Sequence, residues 1–371
     1  MSFDKRGLRR LHLDTNTDIH RQDAYAILLS VFHPRAKLLG ISTVSGNASL
    51  EHTTHNALAV LTAIDPNHSV PLVRGAERPL VRDTQYAPSI HGPTGLDGVP
   101  LLPRIPATAM AEVPAGVEHI AKAILAHPGN EVWLIATGPL TNIAHLFRNH
   151  PEIASHIAGL SIMGGAVGSI PESHTSTRTV PFTPHPPHRN DGKGNWTPHA
   201  EFNIWCDPEA AFEVFDKLSV INKAVILIPL DLTHQVRGNA EVQHLLFPTS
   251  PALAVGKADE TPNLSTVRQM FKQTLLYFAE TYSLHSGIHD GPPLHDPLAV
   301  FAVLEPDVFD DGDGERWHVT VDCGDERMGE TVVVPLQGNK GNVRIPRAVD
   351  LEKFWGSVSD ALAAAEGKVG M

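Results

Sequence analysis

Cysteine is scarce in this chain, long apolar runs are missing, and basic residues nowhere cluster. The two cysteines, Cys206 and Cys323, are too few for a disulfide framework or for a zinc site of their own, a usage that suits a reducing compartment. No apolar stretch approaches the roughly 20 residues of a membrane-spanning helix. The opening residues, MSFDKRGLRR, are charged and no apolar segment follows that would serve as a signal peptide, so a cytoplasmic protein is the expectation. Lys and Arg number 29 against 41 Asp and Glu, a formal net charge of −12. With no basic run to displace counterions from phosphates, nucleic acid and anionic membranes are excluded as main partners. A dinucleotide-binding enzyme is disfavoured too, because no GxGxxG follows the first strand.

What is present is alternation. LRRLHLD reads as a strand, DAYAILLSVF as a helix, AKLLGISTV as a strand and LEHTTHNALAVLTAI as a helix with apolar residues at helical spacing. The order continues through strand VPLVRG, helix GVEHIAKAILAH, strand EVWLIATG, helix PLTNIAHLFRNH and strand AGLSIMGG. Helix PEAAFEVFDKL, strand AVILIPLDL and the long helical pattern LSTVRQMFKQTLLYFAETY follow. Such alternation predicts an α/β fold: a mostly parallel, open, Rossmann-like sheet with helices on both faces and its active site at the C-terminal strand ends. Residues 168–199, rich in Pro, His, Thr and Ser, predict a flexible insertion, whose proline-broken histidines fix no metal geometry. RWHVTVDCGD, TVVVPLQG and GNVRIP predict a small C-terminal strand cluster closed by the helix VDLEKFWGSVSDALAAA. No repeat or change of composition divides the chain, so residues 1–371 are expected to form a single domain.

The chemistry-bearing residues fall at predicted strand ends. Asp14, Asp18 and Asp23 crowd the first strand–helix turn; Asn47 lies in TVSGN; a glycine after Thr137 in ATGPLTN lets that carbonyl turn outward; His295 and Asp296 head a helix in GPPLHDP. Taken singly, an aspartate or a His-Asp pair at a helix start is most simply a cap, and a glycine after a strand a turn. Together they gather hard oxygen donors at one sheet edge, which points to calcium or magnesium, with the mixture of carboxylate and carbonyl favouring calcium (Ca2+). His91 and Asp97 in HGPTGLDG suit substrate contact and a glycine-rich turn equally and are left out of the site, His234 in LDLTHQ is balanced between a turn and a functional residue, and the helical pair Phe278 and Tyr282 is read as packing, with a cover over the base as the alternative for Tyr282.

FHPRAKLLGISTVSGN, HGPTGLDG, ATGPLTNIA, SIMGG, AEFNIWCDPEAA, LDLTHQ and GPPLHDPLAV, in this order, make the chain resemble the inosine-uridine-preferring nucleoside hydrolase family, most closely its eukaryotic uridine-type members. The resemblance implies hydrolysis of the N-glycosidic bond of ribonucleosides to ribose and free base. It implies a calcium ion held by two N-terminal aspartates, the Thr137 carbonyl and Asp296, the ion holding the ribose hydroxyls and the attacking water, with His295 assisting the departing base. Asn47, Asn195, Glu201 and Asn203 match ribose contacts, with Met163 close by. The family's dimers and tetramers imply a homo-oligomer.

One block departs. Against the family's DxDxGxDDAxA, a gapless alignment back from Ala24 reads NTDIHRQDAYA. It makes Asp18 and Asp23 the calcium aspartates, Asp18 also the water's base, and Gln22 the substitute for a ribose-binding aspartate. The other register keeps Asp14, puts Asn16 at the base position and needs two inserted residues; an asparagine offers a carbonyl oxygen to calcium but takes no proton from water. A homologue that binds nucleoside or ribose without turnover is the alternative function.

Overall fold

The computed structural model describes residues 7–16, 22–86, 99–168, 193–248, 264–286, 288–334, 336 and 340–370, the side chains of 277–286 excepted. Asp18, His20, His91, Asp97 and residues 169–192 of the expected insertion lie outside them, as do the side chains of Phe278 and Tyr282. The first strand, β1 (Arg9–Thr15), is followed by α1 (Asp23–Phe32), β2 (Ala36–Thr43), α2 (Leu50–Ile64) and β3 (Leu72–Arg74). Helices α3 (Ala107–Ala111) and α4 (Val117–Leu125) lead to β4 (Val132–Ala136), α5 (Thr141–Asn149), α6 (Glu152–His156) and β5 (Gly159–Met163). Next come α7 (Phe202–Cys206), α8 (Pro208–Val220), β6 (Val225–Ile228), α9 (Leu230–Thr233), α10 (Ala240–Leu246), α11 (Thr266–Ser286) and α12 (Asp296–Leu304). The C-terminal part holds β7 (Phe309–Asp310), β8 (His318–Val321), β9 (Thr331–Val334), β10 (Val343–Arg344), β11 (Ala348–Val349) and α13 (Leu351–Val369).

Seven strands form one sheet in the order β10-β6-β5-β4-β1-β2-β3, and every pairing in it is parallel. Parallel sheets need cover on both faces, and two apolar clusters supply it. Leu11 and Leu13 of β1 join Ala24–Leu29 of α1, Leu298–Leu304 of α12 and Phe354 of α13 on one side. Leu134 and Leu160 join Ile120, Ile143 and Val214 on the other. The α1 sequence DAYAILLSVF has almost no polar face, so the helix is buried from Asp23 to Ser30. Strand order reverses between β1 and β4, and in open α/β sheets the crevice that takes the ligand lies at the C-terminal ends of the strands at such a switch point.

Two expectations need correction. The strand expected over AVILIPLDL ends at Ile228, and Leu230–Thr233 turns into a helix. Pro229 lacks the N–H that would continue the ladder. GNVRIP does not join a separate C-terminal cluster: β10 extends the main sheet beside β6, while β8 and β9 pair with each other.

Candidate active site

Side chains alternate along β1. Leu11 and Leu13 enter the apolar core, which sends His12 and Asp14 to the opposite face. There Asp14 stands beside its β2 register partner Ser42. The Ser42 hydroxyl donates to Asp14 Oδ1 at 2.5 Å and Asn142 Nδ2 donates to the same oxygen at 2.7 Å. His12 Nε2 lies 3.1 Å from Ser42 Oγ; since that hydroxyl proton is given to Asp14, the imidazole is the donor. Burial holds His12 down at about 4. Burial also pushes Asp14 up to about 7, against the opposing hydrogen bonds from Ser42 and Asn142. This polar stack ties the ends of β1, β2 and α5 together one layer beneath the crevice.

Above it, the first residue of α1 receives hydroxyls from two strand ends. Thr15 Oγ1 and Thr137 Oγ1 both donate to Asp23 Oδ1, the latter at 2.8 Å, while the Thr137 amide completes the ladder to Asp14 O at 2.9 Å. The residue before Asp23, Gln22, accepts the His295 backbone N–H on Oε1 at 2.7 Å. The helix starts bearing Asp23 and Asp296 are thereby joined. His295 Nδ1 is 2.5 Å from Thr233 Oγ1. Thr233 thus engages Nδ1, and Nε2 is the nitrogen turned from it. The His234 ring meets His295 edge-on at 5.5 Å and is held at about 4 by burial and by Arg237.

Asn203 forms the opposite wall. Its Nδ2 donates to Thr137 O at 3.2 Å and to Met163 O at 3.3 Å, with Met163 Sδ at 3.4 Å. Glu201 caps α7 by accepting Asn203 N and Ile204 N and also holds Gly165 N. Burial raises its pKa, opposed by these three amides. Asn195 accepts Phe202 N at 3.0 Å and so braces the same helix start. Asn47 lies half-buried in the turn after β2.

Asp23, Thr137, Met163, Glu201 and Asn203 are thus linked in one hydrogen-bonded wall, and Gln22, just before α1, ties to it the α12 start that carries His295 and Asp296. Sequence reasoning missed Thr15, Ser42, Asn142 and Thr233, which orient the expected residues. Asn142 and Thr233 sit inside quoted blocks, ATGPLTNIA and LDLTHQ, where a hydroxyl or amide beside a strand end was the available signal. Among the described residues, no three His, Cys, Asp or Glu side chains converge as a metal-holding group. Around Thr137 the donors are chiefly oxygen, and two buried oxygens, Asn16 Oδ1 and, in the layer beneath, Asp14 Oδ2, have no hydrogen-bond partner among the described residues. Such a set suits a hard cation.

Fold and site define an α/β protein with a polar, oxygen-lined crevice at a topological switch point. Residues 12–356 match the family described as inosine-uridine preferring nucleoside hydrolase, and the chain belongs to that family. It is 34% identical over 360 residues to "Uridine nucleosidase" of Saccharomyces cerevisiae, covering 94% of this chain and 95% of that one. "Pyrimidine-specific ribonucleoside hydrolase RihA" of Escherichia coli is 34% identical over 347 residues, 93% of this chain and 96% of the relative. The fold matches that of a "Purine-Preferring Ribonucleoside Hydrolase from Gardnerella vaginalis" with a TM-score of 0.75 at 24% identity, covering 97% of this chain and 100% of the other. Among the described residues, no helix is long and apolar enough to cross a membrane.

Proposed function

We propose that the chain hydrolyses the N-glycosidic bond of pyrimidine ribonucleosides, uridine first among them, with a calcium ion in the β1/β4 crevice. The observation that carries the proposal is the joining of Asp23, Thr137 and Asn203 to one another, with Gln22 tying the His295–Asp296 helix start to Asp23, at the sheet edge where this fold takes its ligands. The names of the yeast and bacterial relatives support the pyrimidine preference.

In the reaction, water adds at C1′ of the ribose, the C1′–N bond breaks, and the base departs with a proton. Asp23, Asp296 and the Thr137 carbonyl are the proposed ligands. A bound calcium supplies Lewis acidity toward water and toward the ribose hydroxyls. Asp18, outside the described residues, is the proposed acceptor of the water's proton and a further ligand. Gln22, Asn47, Met163, Asn195, Glu201 and Asn203 are proposed to shape the ribose subsite. Asn195 and Glu201 do so by bracing the α7 start that carries Asn203. His295, with Nδ1 engaged by Thr233, presents Nε2 to the departing base. A homo-oligomer, dimer or tetramer, in the cytoplasm is the proposed working form.

Ribose release from uridine and inosine by purified protein, with calcium or with a chelator, tests this. Calcium-dependent release from uridine that Asp18→Ala and Asp23→Ala both abolish is the expected result. A second reading, nucleoside binding without turnover, is favoured by Asn16 and Gln22 standing at the crevice as neutral groups. Tight uridine binding by calorimetry with no ribose released would establish it.

A further inference from the structure

The sheet has a second edge, at the opposite ends of its strands. Arg9 and Val225 begin β1 and β6, and Ala158 and Asn342 stand one residue ahead of β5 and β10. All four line a cleft of about 670 Å³, within the roughly 300–1,000 Å³ of small-molecule sites. Along β1 it lies roughly 20 Å from the Thr15 end, where Asp23 is held, at about 3.3 Å of rise per residue. The buried side chains of Trp133, Ile226, Val303 and Phe309 give the cleft an apolar wall.

The rim carries charge of the sign opposite to that of the chain. Arg344 and Arg316 both bond Asp311 Oδ2, at 2.8 and 3.0 Å, so two guanidiniums share one carboxylate. Against its burial, they hold Asp311 below the usual carboxylate range. Glu131 is paired with Arg10 at 2.7 Å, and Asp307 attracts the buried Arg9. Four guanidiniums thus meet three carboxylates in a protein of formal charge −12, while the adjacent Arg35 is matched by Glu305 at 2.7 Å. Burial and Arg35 disfavour the Arg9 charge more than Asp307 favours it, so a further negative charge beside Arg9 is stabilised. Arg344 engages Asp311 through Nε and the Pro306 and Phe309 carbonyls through Nη2. Its Nη1 has no hydrogen-bond partner among the described residues.

We propose that this cleft is a second binding site, for a small organic anion: its carboxylate or phosphate is taken by Arg9 and Arg344, and its flat apolar body lies on the wall of Trp133, Ile226, Val303 and Phe309. Guanidinium donors match both head groups in geometry. An ion-pair staple between β10 and β7 would need no open volume beside it, whereas here the staple borders a cleft with an apolar wall. The site stands apart from the crevice at the C-terminal strand ends, and neither the calcium nor the nucleoside reading enters the argument.

Titration calorimetry and thermal shifts of the full chain with benzoate and with phenyl phosphate, which carry one ring on either head group, test the site. At least one probe is expected to bind saturably with a Kd of about 1 mM or tighter and to raise Tm. Ala158→Trp, which fills the cleft and removes no charge, is expected to abolish that binding, and Arg9→Gln to weaken it about tenfold or more. The tighter probe identifies the head group as carboxylate or phosphate. No binding of either probe overturns the proposal, and so does parental affinity in Ala158→Trp; if that variant fails to fold, parental affinity in Arg9→Gln overturns it instead. Inorganic phosphate bound as tightly as phenyl phosphate would also overturn it, because the apolar wall would then have no part. Each of these failures leaves the proposed function standing.

Discussion

The Gln22 side chain accepts the backbone N–H of His295 at 2.7 Å, across 273 positions of sequence. Gln22 immediately precedes the first residue of α1, and His295 immediately precedes that of α12. The bond therefore sets the distance between two helix starts whose first residues are aspartates. It also gives Gln22 a task other than gripping a sugar.

Gln22→Ala leaves a buried N–H without its acceptor, which costs about 1–3 kcal/mol. Urea denaturation is expected to show that loss, and Gln22→Glu, which keeps an acceptor oxygen, is expected to restore most of it. Equal stability of parent and Gln22→Ala would show that water replaces the contact and that the clamp is unimportant.

His295→Ala removes the group proposed to serve the departing base. General acid catalysis contributes about 10²–10⁴-fold, so kcat on uridine is expected to fall by that order. A riboside with a leaving group that departs as a stable anion needs no such help and is expected to be hydrolysed at a nearly unchanged rate. Equal losses on both substrates would place His295 in positioning rather than in protonation.

Glu201 uses both oxygens on backbone amides of Gly165, Asn203 and Ile204. Glu201→Gln replaces an acceptor oxygen by an NH2 that faces donors, at a cost of about 2–3 kcal/mol for a charge-assisted bond. A lower Tm together with a raised KM for uridine is expected, because Asn203 rides on the same helix start. A normal Tm with raised KM alone would mean that Glu201 contacts the sugar directly and braces little.

His12 gives a pH signature in stability. Its folded pKa, about 4, lies below the ordinary 6.5 because of burial. As pH falls, the unfolded chain takes up the proton first. The contribution is complete above the ordinary value and lost as pH falls through the folded one, about 3 kcal/mol in all. His234 shifts in the same direction, so the comparison is differential: His12→Gln is expected to lose less stability than the parent between about pH 7 and pH 4. Parallel curves would show that folding leaves the His12 pKa unshifted.

Much of the fold is legible in local pattern. The helices DAYAILLSVF and LEHTTHNALAVLTAI span α1 and α2 residue for residue, because apolar spacing and strand-end polarity are short-range properties. β10 was not legible as part of the main sheet, since a two-residue strand carries no periodicity and is placed only by its partner β6. Pro229 was a readable stop that a continuous apolar run concealed.

The sequence by itself determined the alternation of strand and helix, the oxygen-rich strand ends and the blocks that carry family membership, because these depend on residue type and near spacing. Tertiary structure alone decided who meets whom: Thr15 and Thr137 on one oxygen of Asp23, Thr233 on His295, and Asn16 in a cradle of two glycines 30 and 122 positions away. The contacts of Asp23 and Asn16 follow from the parallel register of β1, β2 and β4, and that of His295 from the packing of the Asp296–Leu304 helix beside the turn after β6. That register is set by packing both faces of the sheet at once, and no short window of sequence contains it.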